Sequence, residues 1–251
     1  MEILLTEDHG AIRFLTLNRP DKRNALNDEL IAALKDTLRA SDENDDLRAI
    51  VIRAAGKDFC SGADLAAIQK IATASYEENL EDARELAELF TLIRKVRVPV
   101  IAAVQGRALA GGCGLASACD LIVAAGSARF GYPEVKIGFV PAMVAAMLRR
   151  NLGEKKSFDL LTQGFEFSAG EALAMGIVNR VVPDEELENA VMEFASVYIK
   201  VSGTAVAMTK KLLYEIDGDT FEAAVEKGVE TNARARMTDD CQKGIARFLE
   251  K

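Results

Sequence analysis

Twice in this chain a short apolar run gives way to a turn of small residues and then to a helical pattern. DFCSGADL at 58–65 follows AIVIRA at 49–54, and LAGGCGL at 109–115 follows VIAAV at 100–104. Buried strands that leave through glycine and re-enter as helices are the mark of β-α units, so an α/β fold with parallel strands is expected. The turns also have a chemical consequence. The first N–H groups of a helix have no intrahelical acceptor and face whatever lies before the helix. Two such turns converging on one point make an oxyanion hole, each donor contributing about 2.7–4 kcal/mol of transition-state stabilisation. One glycine turn alone means only a tight bend; a matched pair points to a site.

The rest of the chain extends this pattern. Residues 11–17 alternate like a half-buried strand that ends at Arg19-Pro20-Asp21, and Asn27 caps a helix running to about Ala40. Apolar residues at Leu80, Ala83, Leu86, Leu89, Phe90 and Ile93 predict a helix over 76–96. Residues 120–125 read as a strand. Gly153 and Gly164 suit helix C-caps, and Ser168-x-x-Glu171 is a capping box opening a short helix that ends at Gly176. After Pro183 the pattern is wholly helical, over 185–200, 204–216 and about 220–249. A length of 251 residues at 49% hydrophobic suits one large domain with an appendage. The expected division is a core over 1–190 and a helical region over 191–251.

Several chemistries are disfavoured. There is no Gly-x-x-x-x-Gly-Lys-Ser/Thr loop, no dinucleotide fingerprint and no Gly-x-Ser-x-Gly elbow. The single histidine, His9, is expected in a solvated N-terminal turn, which disfavours a Ser–His triad and a His/Cys metal centre. Thirty-one basic against thirty-nine acidic residues give a net charge of −8, which weighs against a nucleic-acid or anionic-membrane partner. No apolar run approaches the roughly 20 residues of a membrane span, and the N-terminus MEILLTEDHG lacks a basic signal start. Four cysteines without a Cys-x-x-Cys pair do not form a disulfide framework. A cytoplasmic, metal-free protein is expected.

One further residue carries chemistry. Glu134, in Phe130-Gly131-Tyr132-Pro133-Glu134, is flanked by Tyr132, Val135 and Ile137. Partial burial among them would raise its pKa and let it move protons near neutral pH.

Taken in order, these segments resemble the crotonases, the enoyl-CoA hydratase/isomerase superfamily. The similarity lies in Arg19-Pro20-Asp21-Lys22-Arg23-Asn24-Ala25-Leu26, Phe59-Cys60-Ser61-Gly62-Ala63-Asp64-Leu65, Val104-Gln105-Gly106-Arg107-Ala108, Ala110-Gly111-Gly112-Cys113 and Cys119-Asp120. It continues through Phe130–Gly138 and Ser168–Val178 and so covers nearly the whole chain. The resemblance implies a spiral of β-β-α turns forming two near-perpendicular sheets, with C-terminal helices that trimerise, often into a dimer of trimers. It implies a coenzyme A thioester substrate, so that CoA arrives with the acyl group and no cofactor is needed. The thioester oxygen would be held by the N–H groups of Ala63 and Gly111, with Glu134 as acid/base. Lys22, Arg23, Ala25, Asp64 and Leu65 would border the CoA, and Phe248 and Lys251 would approach a neighbouring subunit's CoA.

One position departs from the pattern. Family hydratases typically carry a first glutamate where this chain has Gly114. Hydration needs a group to hold and deprotonate water and one to protonate carbon, whereas shifting a double bond needs a single base. The acids of the helix over 76–95 (Glu77, Glu78, Glu81, Asp82, Glu85 and Glu88) are expected mostly on a solvated face, from which one could reach inward. The bulky run Phe139–Met147, at the acyl end of the substrate-binding pocket with Gly114, suggests a short or branched acyl group. The reading is a hydratase of a short or branched 2-enoyl-CoA, with a single-glutamate isomerase as the alternative and a non-catalytic acyl-CoA-binding protein as the lesser one.

Overall fold

The computed structural model describes residues 2–250. Strands β1 (Leu4–His9) and β2 (Ile12–Leu17) form a hairpin, followed by α1 (Asp28–Asp42), β3 (Ala49–Ala54), α2 (Leu65–Thr73), α3 (Tyr76–Lys95) and β4 (Val100–Val104). Then come β5 (Arg107–Leu109), α4 (Gly111–Ala118), β6 (Leu121–Ala125), β7 (Arg129–Gly131), α5 (Ala142–Leu152) and α6 (Glu154–Gln163). After β8 (Glu166–Ser168), α7 (Ala169–Ala174) and β9 (Arg180–Val182) the chain is helical: α8 (Leu187–Ser196), α9 (Gly203–Glu215), α10 (Phe221–Arg236) and α11 (Asp239–Leu249).

Two sheets result. A six-stranded sheet has the order β1-β2-β3-β4-β6-β9, parallel except for the β1–β2 hairpin, and a three-stranded sheet has the order β5-β7-β8. The expected parallel β-α units therefore make up the larger sheet. Alternation along its strands divides the core. Along β3, Ile50 and Ile52 turn toward the helices α1, α3 and α4, whereas Ala49 and Val51 join Ile12, Phe14, Ile101 and Val123 beneath Ala190, Val191 and Ala195 of α8. Burial on both faces is why these strands read as unbroken apolar runs. The boundary expected at 190/191 falls inside α8.

Local signals account for the helix ends. The Asn27 side chain accepts from Leu30 N at 3.1 Å, and the Ser168/Glu171 capping box is formed. The expected continuous helix over 220–249 is instead two, because Thr238 caps a new helix by accepting from Cys241 N. His9 is exposed, as expected, but ends β1 rather than sitting in a turn, with its ring edge-on to Phe14 at 5.0 Å. In α9, buried Lys210 donates to Asp120 at 2.7 Å and to the carbonyls of Ile93 and Val98 at 2.9 Å, while Tyr214 donates to Asp120 at 2.7 Å. Asp120 is thus the structural tie between α9 and the end of the sheet. Among the described residues no single helix is long and apolar enough to cross a membrane.

Candidate active site

The two glycine turns meet. Cys60 N donates to Arg107 O at 3.0 Å and Leu109 N to Cys60 O at 2.9 Å, so residues 59–60 lie alongside β5 like a short extra strand. Gly62 adopts φ +98°, and a Cβ there would stand 2.9 Å from the Ala110 Cβ and 3.6 Å from Gly111 N. Only glycine permits that backbone and that approach together. Ala110 itself carries φ +50° with a backbone N–H bonded to Gly131 O at 2.9 Å, an unusual conformation for a residue with a side chain. It turns the chain so that Gly111 opens α4. Leu26 occupies the other side of the 62–64 backbone: Leu26 N donates to Gly62 O at 2.7 Å and its carbonyl accepts from Asp64 N at 2.8 Å. The Ala63 N–H is left out of that pairing. Among the described residues neither the Ala63 nor the Gly111 N–H has a protein acceptor.

Glu134 comes from a third direction. It is the second residue of a 3-10 turn over Pro133–Ile137, closed by left-handed Gly138. The turn is held from behind by fully buried Tyr132, whose hydroxyl lies 2.9 Å from Ser117 Oγ of α4. Phe130 stacks on Phe167 at 5.9 Å beneath it. Glu134 Oε2 is buried with no hydrogen-bond partner, and burial pushes the carboxyl above the ordinary glutamate range. Its charge is felt by Cys113, whose thiol is pushed up to about 12 chiefly by burial and further by Glu134. The chain is tied to the start of α4 three residues before Glu134, where Ala110 N donates to Gly131 O at 2.9 Å. A desolvated carboxyl on a turn tied to α4 can carry a proton to or from a carbon whose enolate oxygen two unpartnered N–H groups stabilise. Buried Cys60 is likewise pushed up to about 12 by desolvation, so neither thiol is a nucleophile at neutral pH.

Position 114 is not a vacancy. A Cβ on Gly114 would lie 2.9 Å from Phe90 Cζ and 3.0 Å from Val144 Cγ2, with Phe90 and Val144 both buried. Hydrocarbon from α3 and α5 fills the place where the family's first glutamate would project. Gly114→Ala is accordingly expected to lower stability by about 1–3 kcal/mol through overpacking, read as a reduced urea midpoint with an unchanged slope. A midpoint at or above wild type would mean that the ring of Phe90 simply swings away.

The remaining predicted residues are distributed around this centre. Lys22 and Arg23 are exposed and form no ion pair among the described residues. Ala25 is buried, with its carbonyl accepting from Arg19. The Asp64 carboxylate accepts from Arg19 at 2.6 Å and caps α2 through Ala66 N at 3.1 Å; the Arg19 bond chiefly holds its pKa below the usual range. Leu65 is exposed at the start of α2. Phe248 is exposed on α11, which packs on α9 and α10; Lys251 lies outside the described residues.

Two residues named from the sequence take supporting roles that it did not assign them. Asn24 is fully buried at φ +52°, accepts from Arg19 N and donates to the carbonyls of Ala55 and Asp58, each at 2.8 Å, thereby clamping the 19–26 loop to the first glycine turn. Asparagine's tolerance of the left-handed region was its only local signal. Phe90 had none, since its contact with Gly114 is tertiary.

Comparison with known proteins bears on this geometry. Residues 7–251 match the family model described as "Enoyl-CoA hydratase/isomerase". A putative enoyl-CoA hydratase of Thermus thermophilus is 38% identical over 244 residues, covering 97% of this chain and 96% of that protein. A crotonyl-CoA hydratase of Syntrophomonas wolfei is 33% identical, covering 100% and 96%. The crystal structure of an enoyl-CoA hydratase from Mycobacterium smegmatis superposes with a TM-score of 0.95 at 34% identity, over 100% of this chain and 97% of that one.

Proposed function

The chain belongs to the enoyl-CoA hydratase/isomerase family, and on that premise we propose that it adds water reversibly to a short or branched 2-enoyl-CoA thioester. The observation that carries this reading is the buried, unpartnered Glu134 oxygen beside the helix whose first N–H is free. The thioester oxygen accepts from Ala63 and Gly111 N–H. Ionised Glu134 takes a proton from water as the water oxygen bonds to C3, and the π electrons move onto the thioester oxygen. Protonated Glu134 then delivers that proton to C2, restoring the carbonyl and the carboxylate. Water is consumed, the proton count balances, and one carboxyl serves both halves. The names of the related hydratases support the reaction, and one of them is named for a four-carbon acyl group. Phe90 and Val144 support a short acyl group by closing the space next to α4.

The CoA is assigned to the loop 19–26 and the start of α2. Exposed Lys22 and Arg23 offer unpaired charge to its phosphates, with Ala25, Asp64 and Leu65 along the chain. A homotrimer or dimer of trimers is part of the proposal, as is a cytoplasmic location. Exposed Leu213, Phe221, Val225, Val229, Phe248 and Leu249 on α9–α11 are apolar surface of the kind an interface covers. Light scattering should return a mass of three or six chains.

A second reading, transfer of the double bond from the 3,4 to the 2,3 position, is favoured by the hydrocarbon at position 114. That reaction needs one base to carry a proton from C2 to C4. Mass spectrometry and NMR after separate incubation with 2-enoyl- and 3-enoyl-CoA decide between the two. Gain of water by the 2-enoyl substrate is expected. Isomerisation of the 3-enoyl substrate without hydration would replace the hydratase reading, and binding without either reaction would leave an acyl-CoA-binding protein.

A further inference from the structure

We infer that Asp82 holds the water that Glu134 deprotonates, taking over from a different helix the task that Gly114 leaves undone. The inference rests on the hydratase reading above. Six acidic residues line α3, and five have other places. Glu78 accepts from Ser75 N at 2.7 Å in the helix cap, Glu81 pairs with Arg84 at 3.5 Å, and Glu77 is exposed. Glu85 and Glu88 both pair with Lys35, at 2.5 and 2.7 Å. Asp82 alone is half-buried and, among the described residues, has neither a hydrogen bond nor an ion pair.

Its position follows from helical spacing. Residues 82, 86 and 90 share one face of α3, each a turn from the next. Leu86 Cδ2 lies 3.9 Å from where a Gly111 Cβ would be, and Phe90 Cζ lies 2.9 Å from that of Gly114. From Phe90 to Leu86 the stripe therefore runs along α4 toward its N-terminus. One turn further, about 6 Å along the axis, Asp82 stands past the end of α4, on the side to which the Gly111 N–H is directed. That is the side on which a thioester oxygen and its neighbouring C3 must lie. The charges that Asp82 feels besides its own burial are Asp28 and Lys70, themselves paired at 3.1 Å across α1 and α2. In the reaction the Asp82 carboxylate accepts a hydrogen bond from one O–H of the water, whose hydrogen stays on oxygen as that of the product's 3-hydroxyl, and Glu134 takes the other proton.

The test is Asp82→Ala, assayed for hydration of a 2-enoyl-CoA and for deuterium uptake at C2 of a 3-enoyl-CoA in D2O. The second measurement needs Glu134 and the oxyanion donors but no bound water. Hydration turnover is expected to fall on the order of 10²-fold, with the ratio of hydration to exchange falling equally. Hydration at the wild-type rate would overturn the role of Asp82 and leave the hydratase reading standing. Loss of exchange in parallel would also overturn it, by showing that the residue maintains the pocket rather than the water. Exchange without hydration in the wild-type protein would remove the hydratase reading and Asp82 with it.

Discussion

Glu134→Gln is expected to lower turnover by about 10²–10⁴-fold while leaving acyl-CoA binding nearly intact. The amide keeps the size of the carboxyl and its place on the 3-10 turn but can neither accept the proton from water nor return it to C2. The oxyanion donors and the CoA-facing loop are untouched, so the loss belongs in kcat rather than in affinity. A second consequence has the opposite sign. Burial raises the folded-state pKa of Glu134 above its unfolded value, so the folded chain holds that proton more tightly than the unfolded one. Its contribution to stability is therefore fully present below the unfolded glutamate pKa and is lost as pH rises through the raised folded value. At pH 7 the ionised, unpartnered oxygen is a burden that glutamine does not carry. The variant should show a higher urea midpoint than wild type at pH 7, with the gap closing toward pH 4. Turnover equal to wild type would take Glu134 out of the mechanism, and midpoints that never separate would show that the carboxyl is not desolvated. The acid limb of kcat/KM should likewise fall above the ordinary glutamate range, since the free enzyme must ionise this group before it can act as base.

The parts of this site that were legible in the chain are those governed by local rules. Strands β3 and β4 are continuous apolar runs because both faces of the larger sheet are covered, and Asn27 and Ser168 announce their helices by side-chain chemistry alone. The glycine turns were visible as strand–turn–helix passages, and their bearing on an oxyanion needed only the orphan donors of a helix start. What could not be read depends on neighbours distant in sequence. Three-residue strands such as β5, β7 and β8 are too short to show an alternation, so the second sheet entered only through family resemblance. The capping box at Ser75 and Glu78 is present in the sequence but precedes the apolar periodicity that marks α3. That Gly114 faces the ring of Phe90, 24 positions earlier, follows from helix packing and has no local signature. The same holds for Asp82, whose five acidic companions look no different until Lys35, Arg84 and Ser75 claim four of them.

Gly112→Ala tests whether the two turns act as one device. Gly112 does not itself supply the proposed oxyanion donor, and its φ is not in the left-handed region. Its constraint is contact: a Cβ would lie 2.2 Å from Cys60 O and 2.7 Å from Cys60 C and Cβ. A flexible side chain can yield at such distances, but a backbone carbonyl already accepting from Leu109 N cannot move without breaking the short pairing between residues 59–60 and β5. The first turn of α4 must instead retreat from the 60–63 segment, separating the N–H groups of Gly111 and Ala63. Losing the alignment of one such donor costs about 10²–10³-fold in turnover. A fall of that size is expected, accompanied by about 1–3 kcal/mol of overpacking strain or somewhat more. Gly111→Ala provides the contrast in stability. Its Cβ meets Leu26 at 3.5 Å and Leu86 at 3.9 Å, ordinary van der Waals distances, so its urea midpoint should stay close to wild type. If Gly112→Ala folds with a wild-type midpoint and turns over normally, the turns are not locked through Cys60, and the oxyanion geometry must be maintained by the 19–26 loop and Leu26 instead.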